Sequence, residues 1–251
     1  MQTHLVGLDA ASQRTKFGYA LGVLDSSTGA LEVTEAGLLS GSTIAECIVP
    51  FVDSAARCLV AIDAPLGWPD GLRQLIGEHQ AGQSPHSCLS KNLAFRRYTD
   101  DVVRRTKVPL EIGADKIARA TFEALRVLGE LRTQTGKEIP LAWDPSFDGS
   151  SAIEVYPGAT LVARKLAFGP YKKPGQKPAR RQMIEKLLAN GLIAFLPDLI
   201  AQAAVDDDNV LDALLCLVAG RDFLLGNCDP LTNENADQVR RESWIWLHRG
   251  I

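Results

Sequence analysis

The chain has 251 residues, 46% of them hydrophobic and 23% charged, with a formal net charge of −3. That is ordinary globular composition, long enough to bury a substantial core as one large domain or two small ones. It excludes a uniformly basic surface, though not local segregation of charge that would serve a nucleic acid.

The N-terminal MQTHLVGLDAA lacks the charged flank, long apolar core and cleavage site of a secretory signal. No apolar run approaches the roughly 18–20 residues that span a bilayer. Cys47, Cys58, Cys88, Cys216 and Cys228 are odd in number, widely spaced and without a CxxC pair, which reads as free thiols in a reducing compartment. The expectation is a cytoplasmic protein with no membrane partner. The sequence sets no oligomeric state.

In chain order, His4–Asp9 (HLVGLD) reads as a first strand, Phe17–Leu24 as a second and Leu31–Leu39 as a third, after the turn-like SSTG. Their short connections predict an antiparallel meander. Ser42 is placed to cap a helix running to about Ala56, with Pro50 as a kink. Cys58–Asp63 (CLVAID) is a short apolar run ending in a carboxylate before Pro65 and Gly67, the pattern of a buried parallel strand at its C-terminal end. Residues 68–149 are more polar and irregular, apart from a helix near Lys116–Thr133, and read as a long insertion. Ala152–Tyr156 is a fifth strand, stopped by Pro157 and Gly158. Helices are predicted at Ala159–Phe168, Ala179–Asn190, Leu196–Ala203 and Val210–Leu225, and the closing SWIWLH reads as a last strand or a packing tail. With no internal repeats, the chain reads as one α/β domain over 1–251 with an insertion at 68–149.

Acids mark places where this sheet meets solvent. Asp9 ends the first strand, Asp63 ends the fourth and Glu154 lies within the fifth. Open α/β sheets bind ligands beyond the carboxyl ends of their strands. With the first and fourth strands as neighbours, about 4.8 Å apart, Asp9 and Asp63 meet, and the last helix can bring Asp212 to the same point. Clustered carboxylates repel and need protons or cations to persist. An all-oxygen set matches Mg²⁺ or Mn²⁺; four scattered histidines (His4, His79, His86, His248) and no cysteine pair make a poor zinc site.

Each acid also has a plainer reading. In DDDNVLDALLCLVAG, Asn209 can be an N-cap with Asp212 as its capping-box partner, and Asp206, Asp207 and Asp208 can be first-turn acids favoured by the helix dipole. Asp63 can open the turn into APLG, and Glu154, alternating with Ile153 and Val155, can point to solvent.

Five segments in order, VGLDAAS with FGYAL, AIDAPLGWP, FRRYTD, IEVYPGATL with YKK, and DNVLDALLCLVAG, resemble the domain of unknown function family 429, described as predicted nucleases of ribonuclease-H-like fold. The resemblance spans nearly the whole chain. It implies a mixed sheet, three antiparallel strands followed by parallel ones, flanked by helices, with Asp9, Asp63 and Asp212 corresponding to metal-binding acids. Holliday-junction resolvases of that fold carry a D-x-x-D-A helix, and this chain has Asn209 where the first acid would stand, with Asp208 one position earlier.

Two basic segments accompany the acids. Arg164, Lys165, Lys172, Lys173, Lys177, Arg180 and Arg181 occur without an acid, in a stretch kept open by Pro170, Pro174, Gly175 and Pro178. Lys91, Arg96, Arg97, Arg104, Arg105 and Lys107 stand against Asp100 and Asp101. Both can hold phosphates or be solvated faces. Arg97 and Asp100, three apart, are placed for a salt bridge at the edge of the site.

The expected chemistry is two-metal phosphodiester hydrolysis of a nucleic acid or nucleotide. Asp9 is expected between two Mg²⁺ or Mn²⁺ ions, Asp63 and Asp212 on either side, Glu154 or Asp208 completing a shell, and Arg97, Lys172 or Lys173 on the substrate phosphate. Two other readings use the same residues: an ATPase or phosphotransferase like the actin-like and sugar-kinase proteins, and a non-catalytic binding protein. Against the first, Asp9 is followed by Ala10, Ala11 and Ser12 rather than Gly and Thr or Ser, with no second glycine-rich phosphate loop. No Ser-His-Asp or Cys-His pattern supports another hydrolase.

Overall fold

The computed structural model describes every residue except 42, 78, 85–89, 114, 167, 168, 174, 232 and 251. Ser42, His86, Cys88, Phe168 and Pro174, on which parts of the sequence reading rest, lie outside the described residues.

Strands β1 (Gln2–Asp9), β2 (Gly18–Asp25) and β3 (Ala30–Leu38) form the expected antiparallel meander. A wide π turn at Ile44–Ile48 then runs into helix α1 (Val49–Asp53). This is the form the Pro50 kink takes: proline has no N–H for the carbonyl four residues back, and the winding loosens just before it. Strand β4 (Cys58–Asp63) returns parallel to β1, and β5 (Ser150–Glu154) pairs parallel with β4. The five-stranded sheet has the order β3-β2-β1-β4-β5.

Between β4 and β5 come α2 (Asp70–Gly77), α3 (Lys91–Phe95), α4 (Tyr98–Val103) and the long α5 (Asp115–Thr135). After β5 come α6 (Pro157–Ala163), α7 (Lys177–Ala189), α8 (Asp198–Asp206), α9 (Asp208–Leu224) and α10 (Ala236–Glu242). Strand β5 ends two residues earlier than its apolar pattern predicts, because Pro157, with its fixed φ and missing N–H, opens α6. The WIWL tail adds no regular strand. It lies buried along the edge of β5, bridging at Glu154 and Ile245, with the Trp246 amide donating to the Glu154 carbonyl at 3.0 Å.

The period of two along each strand divides the interior. Leu5 of β1 and Leu59 and Ala61 of β4 face α9 and join the core that includes α7 and α8. Val6, Leu8, Val60 and Ile62 face the opposite way, towards α1 and α5. The sheet is therefore sandwiched between two helical layers. Helix α9 is apolar nearly all round and buried along most of its length. Such a helix belongs inside a core, not across its surface.

Its descent onto the sheet depends on missing side chains. A Cβ on Gly7 would lie 2.2 Å from the Ala213 carbonyl oxygen, and one on Gly18 would lie 2.0 Å from that of Asn209. With glycine at both positions the helix backbone rests on the strand backbone. Asn209 sits over Gly18, the register partner of Asp9, and Ala213 over Gly7, so α9 runs antiparallel to β1 with its N-terminus at the carboxyl end of β1.

Candidate metal centre

Asp9 and Asp63 are register partners at the ends of parallel β1 and β4. Both sit in phase with Leu5 and Leu59 and so face α9. Asp212, in the first turns of that helix, precedes the residue pressed onto Gly7. Three distant segments thus converge: ligand oxygens of Asp9, Asp63 and Asp212 all lie within 4.8 Å of one another. Asp9 is 6% exposed and Asp212 fully buried.

Asp212 is not a capping residue. The N-cap of α9 is Asp207, whose carboxylate accepts from the Asn209 amide at 2.8 Å. Asp206 lies on the surface and pairs with Lys177 at 2.6 Å. The partners of Asp212 come instead from the loop after α6. The Tyr171 hydroxyl donates to Asp212 Oδ1 at 2.7 Å, and the Lys172 ammonium pairs with Oδ2. Oδ2 is buried and has no partner besides Lys172 among the described residues. Arg180, buried in the first turn of α7, braces that loop by donating to the Tyr171 carbonyl at 2.6 Å and the Val205 carbonyl at 2.7 Å.

The electrostatics follow from this crowding. Burial, then the Asp212 and Asp63 carboxylates, hold the Asp9 pKa well above the usual carboxylate range. Burial pushes Asp63 up to about 7, with Lys172 opposing and Asp212 and Glu154 adding. Burial also raises Asp212, again against Lys172. Burial disfavours the Lys172 ammonium, but Asp212, Asp63 and Asp9 outweigh it and hold its pKa above the ordinary lysine value. With all three carboxylates ionised, as a bound cation would make them, they and one ammonium leave two negative charges, the charge of one divalent cation. The all-oxygen donor set, the raised carboxylates and an Asp212 Oδ2 partnered by Lys172 alone fit a hard cation. The N-terminus of α9 contributes its partial positive charge from the same side.

Asp208, one turn before Asp212, acts on Asp9 and Asp212 through its charge but does not join the three-carboxylate group. Glu154 also stays outside it. In register Glu154 opposes Ile62, whose side chain faces the other layer, so it points away from the α9 face that carries Asp9 and Asp63. Nor does it point to solvent, being 2% exposed. Its two oxygens accept from Arg97 Nη1 and Nη2, each at 2.7 Å, and one also accepts from the Leu66 amide at 3.0 Å.

Arg97 is the centre of a clamp. Besides Glu154 it donates to Asp100 at 2.8 Å and to the Glu242 carbonyl at 3.1 Å, while the Asp100 carboxylate accepts from the Arg97 amide and caps α4. The Glu242 carboxylate accepts from the Asp70 and Tyr98 amides, both at 2.8 Å. The Arg97–Asp100 bridge read from FRRYTD is present, and it joins the insertion, β5 and the C-terminal tail. Being buried and paired on both sides, Arg97 shapes the wall of the site and presents no open fork to a ligand.

A cleft of about 660 Å³ opens over the carboxylates. Asp9, Asp63, Glu154 and Lys172 line it, together with Ala10 and Ala11 of the loop after β1 and Lys107, Leu110 and Tyr156. Lys173 is exposed and does not line it. Tyr171 and Glu242 escaped the sequence reading, and Arg180, read there as one of a basic run, is instead turned inward onto carbonyls. Tyr171 stands beside the lysines singled out in YKK, and a hydroxyl donor next to a cation in an open loop is the signal that would have found it.

Cys58, Cys216 and Cys228 are buried free thiols, and Cys47 is a partly buried one. Burial, with the nearby aspartates, holds the Cys216 pKa well above the usual thiol value, so it is not a nucleophile.

No helix among the described residues is long and apolar enough to cross a membrane. The family model described as Protein of unknown function (DUF429) matches residues 7–237. Neither the curated proteins nor the solved structures give a significant match to the chain.

Proposed function

The chain belongs to DUF429, a family of unknown function, and we propose from the chemistry of its acidic cleft that it is a Mg²⁺- or Mn²⁺-dependent hydrolase of phosphodiester bonds, with a ribonuclease-H-like fold. The observation that carries this reading is the convergence of Asp9, Asp63 and Asp212 within 4.8 Å at the carboxyl ends of parallel strands. Strand order and direction agree with the fold part of the proposal. The donor set favours a hard cation over zinc.

In this reading Asp9, Asp63 and Asp212 hold the cation, and Asp208, one turn earlier on α9, is a further carboxylate for a second. A bound divalent cation supplies Lewis-acid polarisation of a phosphoryl oxygen and a more acidic attacking water. The protein's own work is positional. Gly7 and Gly18 set the height of Asp212 over the sheet, Tyr171 fixes the direction of its carboxylate, and Arg180 holds Tyr171 in place. Lys172, on a half-exposed side chain at the edge of the cluster, is the cation that meets the phosphate being cleaved. Arg97 and Glu154 act as positioning residues through the wall.

The test is hydrolysis of structured RNA and DNA in Mg²⁺ or Mn²⁺, against chelator and an Asp9→Asn control. The wild-type chain cleaves at least one substrate only with the cation. Asp9→Asn loses more than the roughly 10–100-fold that outer-shell partners of a metal site cost. Equal activity, or equal inertness, of the two proteins removes the proposal.

A further inference from the structure

We propose that the cleft takes one nucleotide unit of a single-stranded or terminal phosphodiester, not a duplex, and that Lys107 and Leu110 of the insertion select it. This rests on the hydrolase reading and adds the substrate class.

The first argument is charge. Phosphate-tracking proteins that hold a duplex neutralise about 6–10 phosphates and lose affinity steeply with salt. Several cations of the two basic segments are already engaged. Arg96 pairs with Glu111, Arg104 with Asp101, Arg164 with Asp222 and Lys177 with Asp206, and Arg180 is turned inward onto carbonyls. Of the cations lining the cleft, Arg97 is held between Asp100 and Glu154, which leaves Lys107, with no carboxylate partner among the described residues, and Lys172, whose partner Asp212 is the carboxylate a bound cation would take over. Two ammonium groups match one or two phosphates.

The second argument is shape and polarity. A volume of about 660 Å³ lies within the ~300–1,000 Å³ of small-molecule sites. Its insertion wall is apolar where its floor is charged: Leu110 is 70% exposed and lines the cleft, as does Ile117. Beside them the Lys107 ammonium stands 5.8 Å from the centre of the Tyr156 ring, and Tyr156 lines the cleft too. An apolar face and an aromatic ring next to an ammonium suit a base and its neighbouring phosphate, the combination used in single-strand grooves. The charged floor below suits the phosphodiester itself. A duplex keeps its bases stacked inside and offers nothing to Leu110.

Binding separates the cases without relying on turnover. With the protein loaded with Ca²⁺, anisotropy of a fluorescein-labelled six-nucleotide single strand and of a 20-base-pair duplex is titrated between 50 and 200 mM KCl. The single strand should bind more tightly, with a log–log salt slope of about −1.4 from two contacts at about −0.7 each. Lys107→Ala should reduce that slope by about 0.7. Leu110→Ala should weaken the single strand about fivefold or more, as loss of a stacking surface does. Both side chains are exposed, and an unchanged thermal midpoint certifies the fold of each variant. Tighter duplex binding with a slope of about −5 or steeper overturns this proposal and leaves the hydrolase reading intact, and binding of neither probe overturns it as well. Single-strand binding with the expected slope, without Mg²⁺-dependent cleavage of that strand, keeps the subsite and removes the hydrolase reading.

Discussion

Replacing Gly7 by alanine adds one methyl group where strand β1 and helix α9 touch. That Cβ would stand 2.2 Å from the Ala213 carbonyl oxygen and 3.1 Å from both the Leu217 nitrogen and the Cys216 Cβ. Two of the three are backbone atoms, so no rotamer change relieves the contact. Ordinary contact needs about 3.5 Å, so the helix must rise by roughly 1 Å. Overpacking of this kind costs about 1–3 kcal/mol. Asp212, the residue before Ala213, moves with the helix, while Asp9 and Asp63 stay on the sheet. Metal–oxygen distances for Mg²⁺ are held near 2.0–2.1 Å, so a shift of roughly 1 Å disables one ligand, and Mn²⁺ affinity should fall about tenfold or more, as loss of a supporting contact does. Gly220→Ala is the control. Its Cβ would meet the end of the Leu5 side chain at 2.6 Å, two turns along the helix from Asp212, where a side chain can yield. Urea denaturation and Mn²⁺ calorimetry on both variants give the comparison. Gly7→Ala that binds Mn²⁺ like the wild type refutes the argument that the glycine contact sets the site, as does an equal loss of Mn²⁺ affinity in both variants.

Three further outcomes follow from the same geometry. Glu154→Gln leaves Arg97 buried on Asp100 alone and should cost less than the roughly 3–5 kcal/mol of a wholly unpaired buried charge, and Arg97→Met with Glu154→Gln should cost less than the two single changes combined; urea denaturation of the full cycle reads this. The folded-state pKa of Asp63 is raised from 3.8 to about 7, so the native state holds its proton longer than the unfolded chain. Its contribution to stability is therefore present below about pH 4 and lost as pH rises through about 7. In chelator, the wild-type thermal midpoint should fall over that window more than that of Asp63→Asn, and saturating Mn²⁺ should remove the difference; parallel profiles in chelator contradict the assignment. Asp207→Ala removes the cap of α9 and should cost about 1 kcal/mol, measured by denaturation.

Much of this fold could be read from local pattern. HLVGLD and CLVAID are apolar runs ending in acids, and their expected pairing is the observed Asp9–Asp63 register. The burial of α9 was equally plain from its composition. What could not be read locally was phase. Glu154 alternates with Ile153 and Val155, and only the pairing of β4 with β5 shows that it opposes Ile62 and faces the layer away from Asp9. The function of Asp212 had the same limit. Its spacing from Asn209 suits a capping box as well as a place beside Asp9 and Asp63, and what decides between the two is the seating of the helix backbone on Gly7 and Gly18. The basic segments stayed open for a related reason: a run of cations in sequence says nothing of the acids it meets in space. Arg164 finds Asp222, 58 residues on, and Lys177 finds Asp206, 29 residues on.

The central claim is that three carboxylates from β1, β4 and α9 form one cation site. Crystals of the full chain soaked in Mn²⁺, with anomalous difference maps at the manganese edge, test it directly. The account predicts a peak within bonding distance of Asp9, Asp63 and Asp212 together, absent from crystals of Asp9→Asn. A well-ordered cleft without a peak, or a peak held by other residues, contradicts it.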